Sequence, residues 1–388
     1  MSRLADLIAQ LCPDGVEYKP LSECVVLPSI PRGLKRGQYE SSGTYPIVDQ
    51  GRGQVAGYSS DETKLVKDIP GIVFGDHTRE IKYVDHFFVP GADGVKWIRA
   101  VDDVDIRYLF HSLSSLAIPS RGYNRHWNVV REMSIPVPPL EVQREIVRIL
   151  DQFTTLEAEL EAELEARRAQ YEYYRNQLLS YDALVSRCPN GVQYKSIGSF
   201  SKCVAGATPN SKNPSLWDGD IPWMSSGEVN KKTVYSTNRF ITQLGFDSCS
   251  TKMVPAGAVV IALAGRGKTR GTVARIRIEL CTNQSLCAII TDKTVDSDYL
   301  FHYLSGQYDN LRAVSSGDGT RGGLNLKMIR AYKVPVPPIE EQRRIADVLD
   351  RFDTLVNDIS SGLPAEIAAR RAQYEYYRDR LLSFPEKK

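Results

Sequence analysis

The sequence predicts an α+β chain (mixed α/β) in which two globular inserts are separated by two long antiparallel helices, in a cyclic arrangement with pseudo-two-fold symmetry. Three observations predict it. The helical framework is written twice, each copy carries an apolar stripe that needs a partner, and the segments between are series of short strands. Chain length agrees, because 388 residues exceed the roughly 250–300 that one core organises.

The repeat emerges when the chain is compared with itself. Ile135–Asp151 reads IPVPPLEVQREIVRILD and Val334–Asp350 reads VPVPPIEEQRRIADVLD, an offset of 199 residues. Arg167–Arg175 and Arg370–Arg378 are both RRAQYEYYR at an offset of 203, so the second copy holds four extra residues between the two matches. A third pair, CPDGVEYK at Cys12–Lys19 and CPNGVQYK at Cys188–Lys195, stands at an offset of 176. Between these anchors the halves are expected to stop resembling each other, as the segments starting at Ser29 and Gly206 have no common pattern. After its RRAQYEYYR element the central copy runs through LLSYDALVSR into CPNG, whereas the C-terminal copy stops at LLSFPEKK and RLADLIAQL precedes CPDG at the other end. Joining the ends would restore the same junction, so they are expected to meet in space. This divides the chain into an N-terminal helix (1–11) completing the distal framework, a first insert (12–134), a central helical region (135–187), a second insert (188–333) and a C-terminal helical region (334–388).

From Leu140 to Leu179 apolar residues recur at Ile146, Ile149, Leu150, Phe153, Leu156, Leu160 and Leu164 with no internal Gly or Pro, which predicts one long amphipathic helix. Pro138 and Pro139 fix its start, because proline is tolerated in a first turn and not inside. At 1.5 Å per residue, about 40 residues span roughly 60 Å. The second copy offers a matching stripe at Ile345, Val348, Leu349, Phe352, Leu355, Val356 and Ile359, with Gly362 and Pro364 expected to break it near Ser361. Tyr171, Tyr173 and Tyr174, with Tyr374, Tyr376 and Tyr377, are too many aromatics for a solvated face. Together with Arg167, Arg168, Arg370 and Arg371, Tyr171, Tyr174, Tyr374 and Tyr377 are expected to form docking surfaces for another protein.

In the inserts, GTYPIVDQG, GIVFGD, AGAVVIALAG and GTVARIRIEL read as strands punctuated by Gly and Pro. Net charge is only +2 overall, yet the first insert carries 15 basic against 16 acidic residues and the second 18 against 10. A polyanion partner would therefore be met locally, most of all by the second insert.

Catalytic and cofactor motifs are weak. ALAGRGKT, Ala262–Thr269, fits the loosest phosphate-loop pattern, but the alternating RGTVARIRIEL that follows is a strand, and a phosphate loop must open a helix. The segment reads instead as a hairpin tip whose Arg266, Lys268 and Arg270 approach backbone phosphates of a nucleic acid. Asp76, Glu80 and Lys82 have the residue types of a metal-dependent nuclease, but the carboxylates are too close in sequence for that arrangement. Seven cysteines form no C-x-x-C pair and are expected to be free thiols, and no metal site is expected. Met1–Leu11 lacks the apolar core of a signal peptide, and no stretch reaches a membrane span, so the expected location is the cytoplasm.

What remains is a two-headed binder without catalytic residues. Arg, Asn and Gln in Gly-rich loops can grip base edges bidentately in a major groove. The candidates for DNA contact are Gln50, Arg52, His77, Arg79, Arg121, Asn124 and Arg125 in the first insert. In the second they are Asn210, Lys212, Ser225, Ser226, Arg266, Lys268, Arg270, Asn283, Gln284 and Arg321.

Four features matter together: the repeated P-V-P-P-[LI]-E-x-Q-R helix starts, the run Gly206–Val229, CTNQSL at Cys281–Leu286, and the run Gly75–Trp97. With them the chain resembles the specificity subunit of type I restriction-modification systems over almost its whole length. The resemblance implies that the inserts are target recognition domains, each reading half of a split double-stranded DNA site. It further implies that the repeated helices bind two modification (methyltransferase) subunits, with restriction (translocase/endonuclease) subunits alongside. S-adenosylmethionine, ATP and Mg belong to those partner subunits, and this chain itself is implied to carry no cofactor and no catalytic residue. Two other classes fit the composition: a coiled-coil scaffold bearing protein- or glycan-binding domains, without salt-dependent DNA affinity, and an NTP-hydrolysing enzyme. Lys268→Ala separates the last, since it is expected to abolish turnover in an NTPase and only to weaken binding in a DNA reader.

Overall fold

Both copies of the Pro-Pro motif start helices in the computed structural model, which describes residues 3–189, 191–265, 269–315, 323–357 and 362–387. The first helix runs unbroken over Leu140–Leu178. The second copy consists of Ile339–Asn357 and Leu363–Leu381, with Gly362 in a bend and Pro364 in the first turn of the later helix. The expected break at Ser361 itself lies outside the described residues. Contacts divide the chain into two compact units, Met1–Leu160 with Ile367–Lys388, and Glu161–Glu366.

Each unit is built on the same plan. Its insert is closed by a two-stranded antiparallel ribbon made of repeated sequence: Glu17–Pro20 on Ser134–Val137 in the first, Gln193–Ser196 on Lys333–Val336 in the second. Beyond the ribbon the first insert holds a four-stranded antiparallel sheet in the order Val25–Val26, Val95–Ala100, Gly71–Gly75, Ile81–Val84. It also holds a three-stranded sheet in the order Gly57–Ser59, Tyr45–Val48, Val89–Pro90. In the second insert a five-stranded sheet runs Ser201–Ala205, Leu286–Thr291, Val259–Ala262, Val273–Ile276, Thr233–Val234, and a three-stranded one runs Arg239–Ile241, Trp217–Met224, Cys281–Thr282. Val273–Ile276 returns antiparallel beside Val259–Ala262, and among the described residues between them there is no helix. That arrangement excludes a phosphate loop there.

The halves do not stop resembling each other between the anchors, which corrects the expectation. Asp105–His111 and Asp296–His302 share the pattern D-x-x-Y-L-F-H at an offset of 191. They open matching helices, Ile106–Ser115 and Ser297–Ser305, whose N-caps are Asp105 and Asp296. The repeated Gln of each helix start clamps these caps. Buried Gln143 accepts from the Asp105 amide (2.7 Å) and donates to the Asp103 and Pro138 carbonyls (2.9 and 2.7 Å). Gln342 accepts from Asp296 (2.8 Å) and donates to Thr294 and Pro337 (3.1 and 2.7 Å). Tyr108 and Tyr299 donate to the ribbon carbonyls of Pro136 and Pro335 (2.9 and 2.7 Å).

Eight residues, about two turns, further along each long helix a carboxylate completes the joint. His111, fully buried, approaches Asp151 through Nε2 (3.0 Å) and the Tyr374 hydroxyl through Nδ1 (2.8 Å). Burial pulls this imidazole below its ordinary pKa against the attraction of Asp151, and the neutral ring accepts a hydrogen bond from the tyrosine hydroxyl at Nδ1 while Nε2 donates to the carboxylate. In the second unit His302 meets Asp350 (2.8 Å) and Tyr171 (2.9 Å) in the same way. An arginine closes each cluster from a different place. Arg107, on the helix, pairs with Asp151, while Arg275, on a strand, pairs with Asp350, Asp298 (3.0 Å) and Asp353 (2.9 Å). These contacts correct the reading of Tyr171 as a docking residue and commit the hydroxyl of half-buried Tyr374 to the joint. Tyr171 is 8% exposed, and both hydroxyls serve a joint inside their own unit.

The expected stripe divides its work. Val142, Ile146 and Leu150 are fully buried in the first insert's core beside Ile72, Phe74, Ile98 and Leu109. Further along, the helices pack on one another antiparallel: Phe153 stacks on Tyr377 (5.3 Å) and Arg371 pairs with Glu157 (2.6 Å) in the first unit. In the second, Tyr174 stacks on Phe352 (5.7 Å).

The C-terminal segment meets the N-terminal one, as the broken repeat predicts. The Val16 amide donates to Pro385 and the Lys387 amide to Val16 (both 2.9 Å), and Tyr18 donates to the Phe384 carbonyl (2.9 Å). Leu382 and Phe384 enter the core that holds Leu4, Cys12 and Val16. Gly15 permits the approach: its φ is +90°, and a Cβ would stand 2.4 Å from the Pro385 oxygen. Among the described residues no helix is long and apolar enough to cross a membrane. All seven cysteines are free, five of them buried.

Burial works against ionisation of Asp350, but hydrogen bonds from His302 and Arg275 and the Arg275 charge outweigh it and hold its carboxyl at about 2. A carboxyl that titrates below its unfolded value of about 3.9 contributes its stability in full above that pH and loses it as pH falls toward the folded value. Asp350→Asn is expected to destabilise the fold by about 3 kcal/mol, the low end for breaking a buried pair because Asp298 and Asp353 stay on Arg275. The loss of stability between pH 4 and 2 in denaturant titrations should be shallower in this variant than in the parent.

Candidate nucleic-acid interface

In both inserts several of the sequence-predicted residues gather at one end of the three-stranded sheet, and strand direction is the reason. Tyr45–Val48 runs parallel to Val89–Pro90, with Ile47 opposite Val89, so both strands leave the sheet at the same end. They deliver the loops 49–53 and 91–94 side by side. Trp217–Met224 runs parallel to Cys281–Thr282, with Trp223 opposite Cys281, and delivers Ser225 and Ser226 beside Asn283 and Gln284. The two inserts thus build their loop clusters at equivalent places from unrelated sequence.

In the first insert four loops interlock. The Gln50 carboxamide accepts from the His77 amide (3.2 Å) and donates to the Asp93 carbonyl (2.9 Å), while its own carbonyl accepts from Thr78 (2.6 Å). Lys82, buried, donates to the carbonyls of Asp49 (2.7 Å) and Gly53 (2.5 Å), and burial pushes its ammonium below the usual value. Asp76, also buried, accepts from the amides of His126 (2.9 Å) and Trp127 (2.8 Å), which ties the 118–127 loop to the turn. The nuclease-like set therefore holds loops: Asp76 and Lys82 are spent on backbone, and Glu80 lies 3.8 Å from Arg52.

On this scaffold Arg52, Arg79, Arg121, Asn124 and Arg125 are exposed. Arg79, at φ +67°, spends one donor on the Ile118 carbonyl (2.8 Å), and Asn124 donates to Arg121 (2.7 Å). His77 donates through Nδ1 to the Tyr123 carbonyl (3.0 Å) and stacks on its ring (4.7 Å). Tyr123 is 80% exposed and was not among the predicted residues. Its neighbours Gly122 and Arg121 were the only signal available. Gln50 commits one donor and one acceptor of its half-buried amide to the protein, so it also shapes the loop surface.

The second cluster joins the 206–212 loop to the sheet end. Thr208 donates to Gln284 (2.5 Å), Trp223 to the Ala207 carbonyl (3.0 Å) and Trp217 to the Asn210 carbonyl (3.2 Å). A Cβ on Gly206 would stand 1.7 Å from the Thr282 oxygen, so only glycine fits that approach. Buried Glu228 accepts from the Ser225 amide (2.9 Å) and hydroxyl (3.1 Å), the Asn238 amide (2.9 Å) and Lys231 (3.0 Å). Burial opposes its ionisation, but these donors outweigh that and hold the carboxyl below the usual range. Asn210 and Asn283 accept from the Lys212 and Ser285 amides (both 3.0 Å). Ser225, Asn210 and Asn283 therefore each commit a side-chain oxygen to the loops, while Lys212 and Gln284 are exposed and Ser226 half-buried. Arg270 corrects the hairpin-tip expectation, being 7% exposed with its carbonyl facing Arg312 (3.4 Å). Arg266, Lys268 and Arg321 lie outside the described residues.

On the long helices Arg167 pairs with Glu163 (2.8 Å) and Arg168 with Glu165 (2.6 Å), and Arg370 donates to Gln373 (3.1 Å). The tyrosines most open to solvent in the repeated segments are Tyr173 and Tyr376, at 61% and 58%. Among the described residues no cluster of His, Cys, Asp and Glu could hold a metal ion.

Asp76→Ala would leave the buried Trp127 amide without an acceptor, while the His126 amide keeps the carbonyl of residue 76 (2.8 Å), and this costs about 1–3 kcal/mol. Amide exchange across residues 118–127 should rise selectively in this variant. Unchanged exchange there would mean that Asp76 does not hold the loop.

Comparisons with known proteins follow the same division of the chain. The sequence profile described as "Type I restriction modification DNA specificity domain" matches residues 13–166 and again 189–369. The specificity subunit of the type I restriction enzyme EcoR124I/EcoR124II of Escherichia coli is 34% identical over 407 aligned positions, covering 99% of this chain and 98% of that protein. Among solved structures, the S subunit of a type I restriction-modification system from M. genitalium matches with a TM-score of 0.62 at 15% identity, covering 95% of this chain and 96% of that one. A chain from a type I system solved to explain complex assembly and conformational transition matches with a TM-score of 0.52 at 19% identity, covering 95% and 98%. At those identities the structures speak for the fold alone. The chain belongs to the DNA specificity family of type I restriction-modification systems, as a specificity subunit that recognises DNA and carries out no catalysis itself.

Proposed function

We propose that each insert reads one half of a bipartite double-stranded DNA site and that the repeated helices set the gap between the halves and recruit the partner subunits. The observation that carries this reading is the pair of loop clusters at equivalent sheet ends, built on one plan and lined with unlike side chains. Two sites of identical chemistry would read one sequence twice. Two sites with different exposed groups read two.

The partners in this reading are two modification subunits, with restriction subunits joining them in the cytoplasm. S-adenosylmethionine, ATP and Mg ions act on those subunits. Their docking surface is the solvent side of the Arg and Tyr segments, with Arg167, Arg168, Tyr174, Arg370, Arg371 and Tyr377 flanked by Tyr173 and Tyr376.

Spacer length follows from helix geometry. Leu156–Ala166 reads LEAELEAELEA, a four-residue period that accepts whole units without interrupting the helix. Four added residues lengthen a helix by about 6 Å and turn it by about 40°, and B-DNA rises about 3.4 Å per base pair. Inserting one LEAE unit is expected to widen the unread gap by one or two base pairs and to leave both half-sites unchanged. Base-resolution methylation mapping in cells expressing the variant with its methylating partner checks this, and the old gap or altered half-sites would refute it.

A further inference from the structure

The second cluster contains an arginine that loop chemistry does not reveal. Arg239 begins the third strand of the sheet Arg239–Ile241, Trp217–Met224, Cys281–Thr282, directly opposite Trp223, which in turn stands opposite Cys281. Because its strand runs antiparallel to Trp217–Met224, it starts at the end where Ser225, Ser226, Asn283 and Gln284 emerge. Its guanidinium lies over the Trp217 ring with Cζ 3.6 Å from the centroid, and 5.8 Å from that of Trp223. The two indoles are perpendicular, 5.1 Å apart, and each donates to a carbonyl of the 206–212 loop. Arg239 itself is exposed, and among the described residues its guanidinium has no hydrogen-bond or ion-pair partner.

Resting on the DNA-reading assignment above, we propose that Arg239 is a specificity-determining residue of the second recognition domain, which takes the O6/N7 edge of a guanine in the second half-site. At 3.6 Å a planar guanidinium lies nearly flat on the indole, which leaves its in-plane N–H donors directed outward. The side chain loses most of its rotamer freedom before DNA arrives, so less ordering remains to oppose a bidentate contact. A phosphate contact needs only a positive charge, which a freely moving lysine supplies. A fixed fork of parallel donors matches a guanine edge.

The test uses the full chain assembled with its methyltransferase partner and a panel of duplexes in which each base pair of the second half-site is replaced in turn. Arg239→Ala should reduce discrimination at one G·C pair by about 5- to 100-fold and leave the other positions and the first half-site unchanged. Arg239→Lys should lose as much. An equal loss on every duplex with a shallower salt dependence would make Arg239 a phosphate contact and overturn the proposal. So would full rescue by lysine, an unchanged panel, or a second half-site without guanine. A parent complex that discriminates no duplex at all would overturn the DNA-reading assignment itself, and this one with it. Both variants should still unfold cooperatively, with midpoints lowered by no more than a few degrees, because what is lost is one cation–π contact of an exposed side chain with Trp217.

Discussion

Each insert is held on its long helix by one half-buried carboxylate that meets a fully buried histidine. Asp151 and Asp350 receive a histidine, an arginine and, through the histidine, a tyrosine from the returning helix of the same unit. The directional bonds of a half-buried carboxylate to a buried histidine and an arginine define the geometry of the joint more narrowly than an apolar contact would. A reading surface carried on such a joint keeps its direction relative to the helix. An insert on a loosely packed neck would not. Above the joint, the glutamine clamp and the tyrosine–ribbon bonds fix the same helix cap a second and third time.

That rigidity leaves the loops free to diverge. The arginine completing the joint comes from a helix in one unit and from a strand in the other, which shows that the carboxylate selects for charge and reach and not for a particular backbone. At the far end of each insert a parallel strand pair delivers two loops together whatever their sequence. Many of the polar groups there are occupied with one another. Glu228, Asp76 and Lys82 serve the loop backbone, and in doing so they present a smaller set of arginines, one lysine and an exposed tyrosine to whatever binds.

Much of this was legible in the sequence because repetition is insensitive to three-dimensional detail. The two helices, their Pro-Pro starts, the strand that returns after Ala262 and the meeting of the chain ends all follow from residues close in sequence or from an exact duplicate. What was not legible depends on contacts between distant segments. Tyr171 and Tyr374 look like an exposed aromatic surface until His302 and His111 are seen beneath them. Gln50 has the right chemistry for an adenine edge, but only the fold shows that Asp93 and His77 already take one donor and one acceptor of its amide. Arg239 stands in a short strand, away from the Gly-rich loops, and its significance rests on two tryptophans brought alongside by strand pairing. The D-x-x-Y-L-F-H repeat is present in the sequence but stands at an offset of 191, which matches none of the other three, so only the matching helix caps make it evident.

In the proposed function one chain carries two independent readers at a fixed separation. Methylome sequencing of cells carrying the unaltered chain with its methylating partner measures this most directly. The account predicts a single split motif, two short defined blocks flanking a stretch of fixed length in which any base is accepted. A continuous motif, or defined blocks at variable distances, would contradict it.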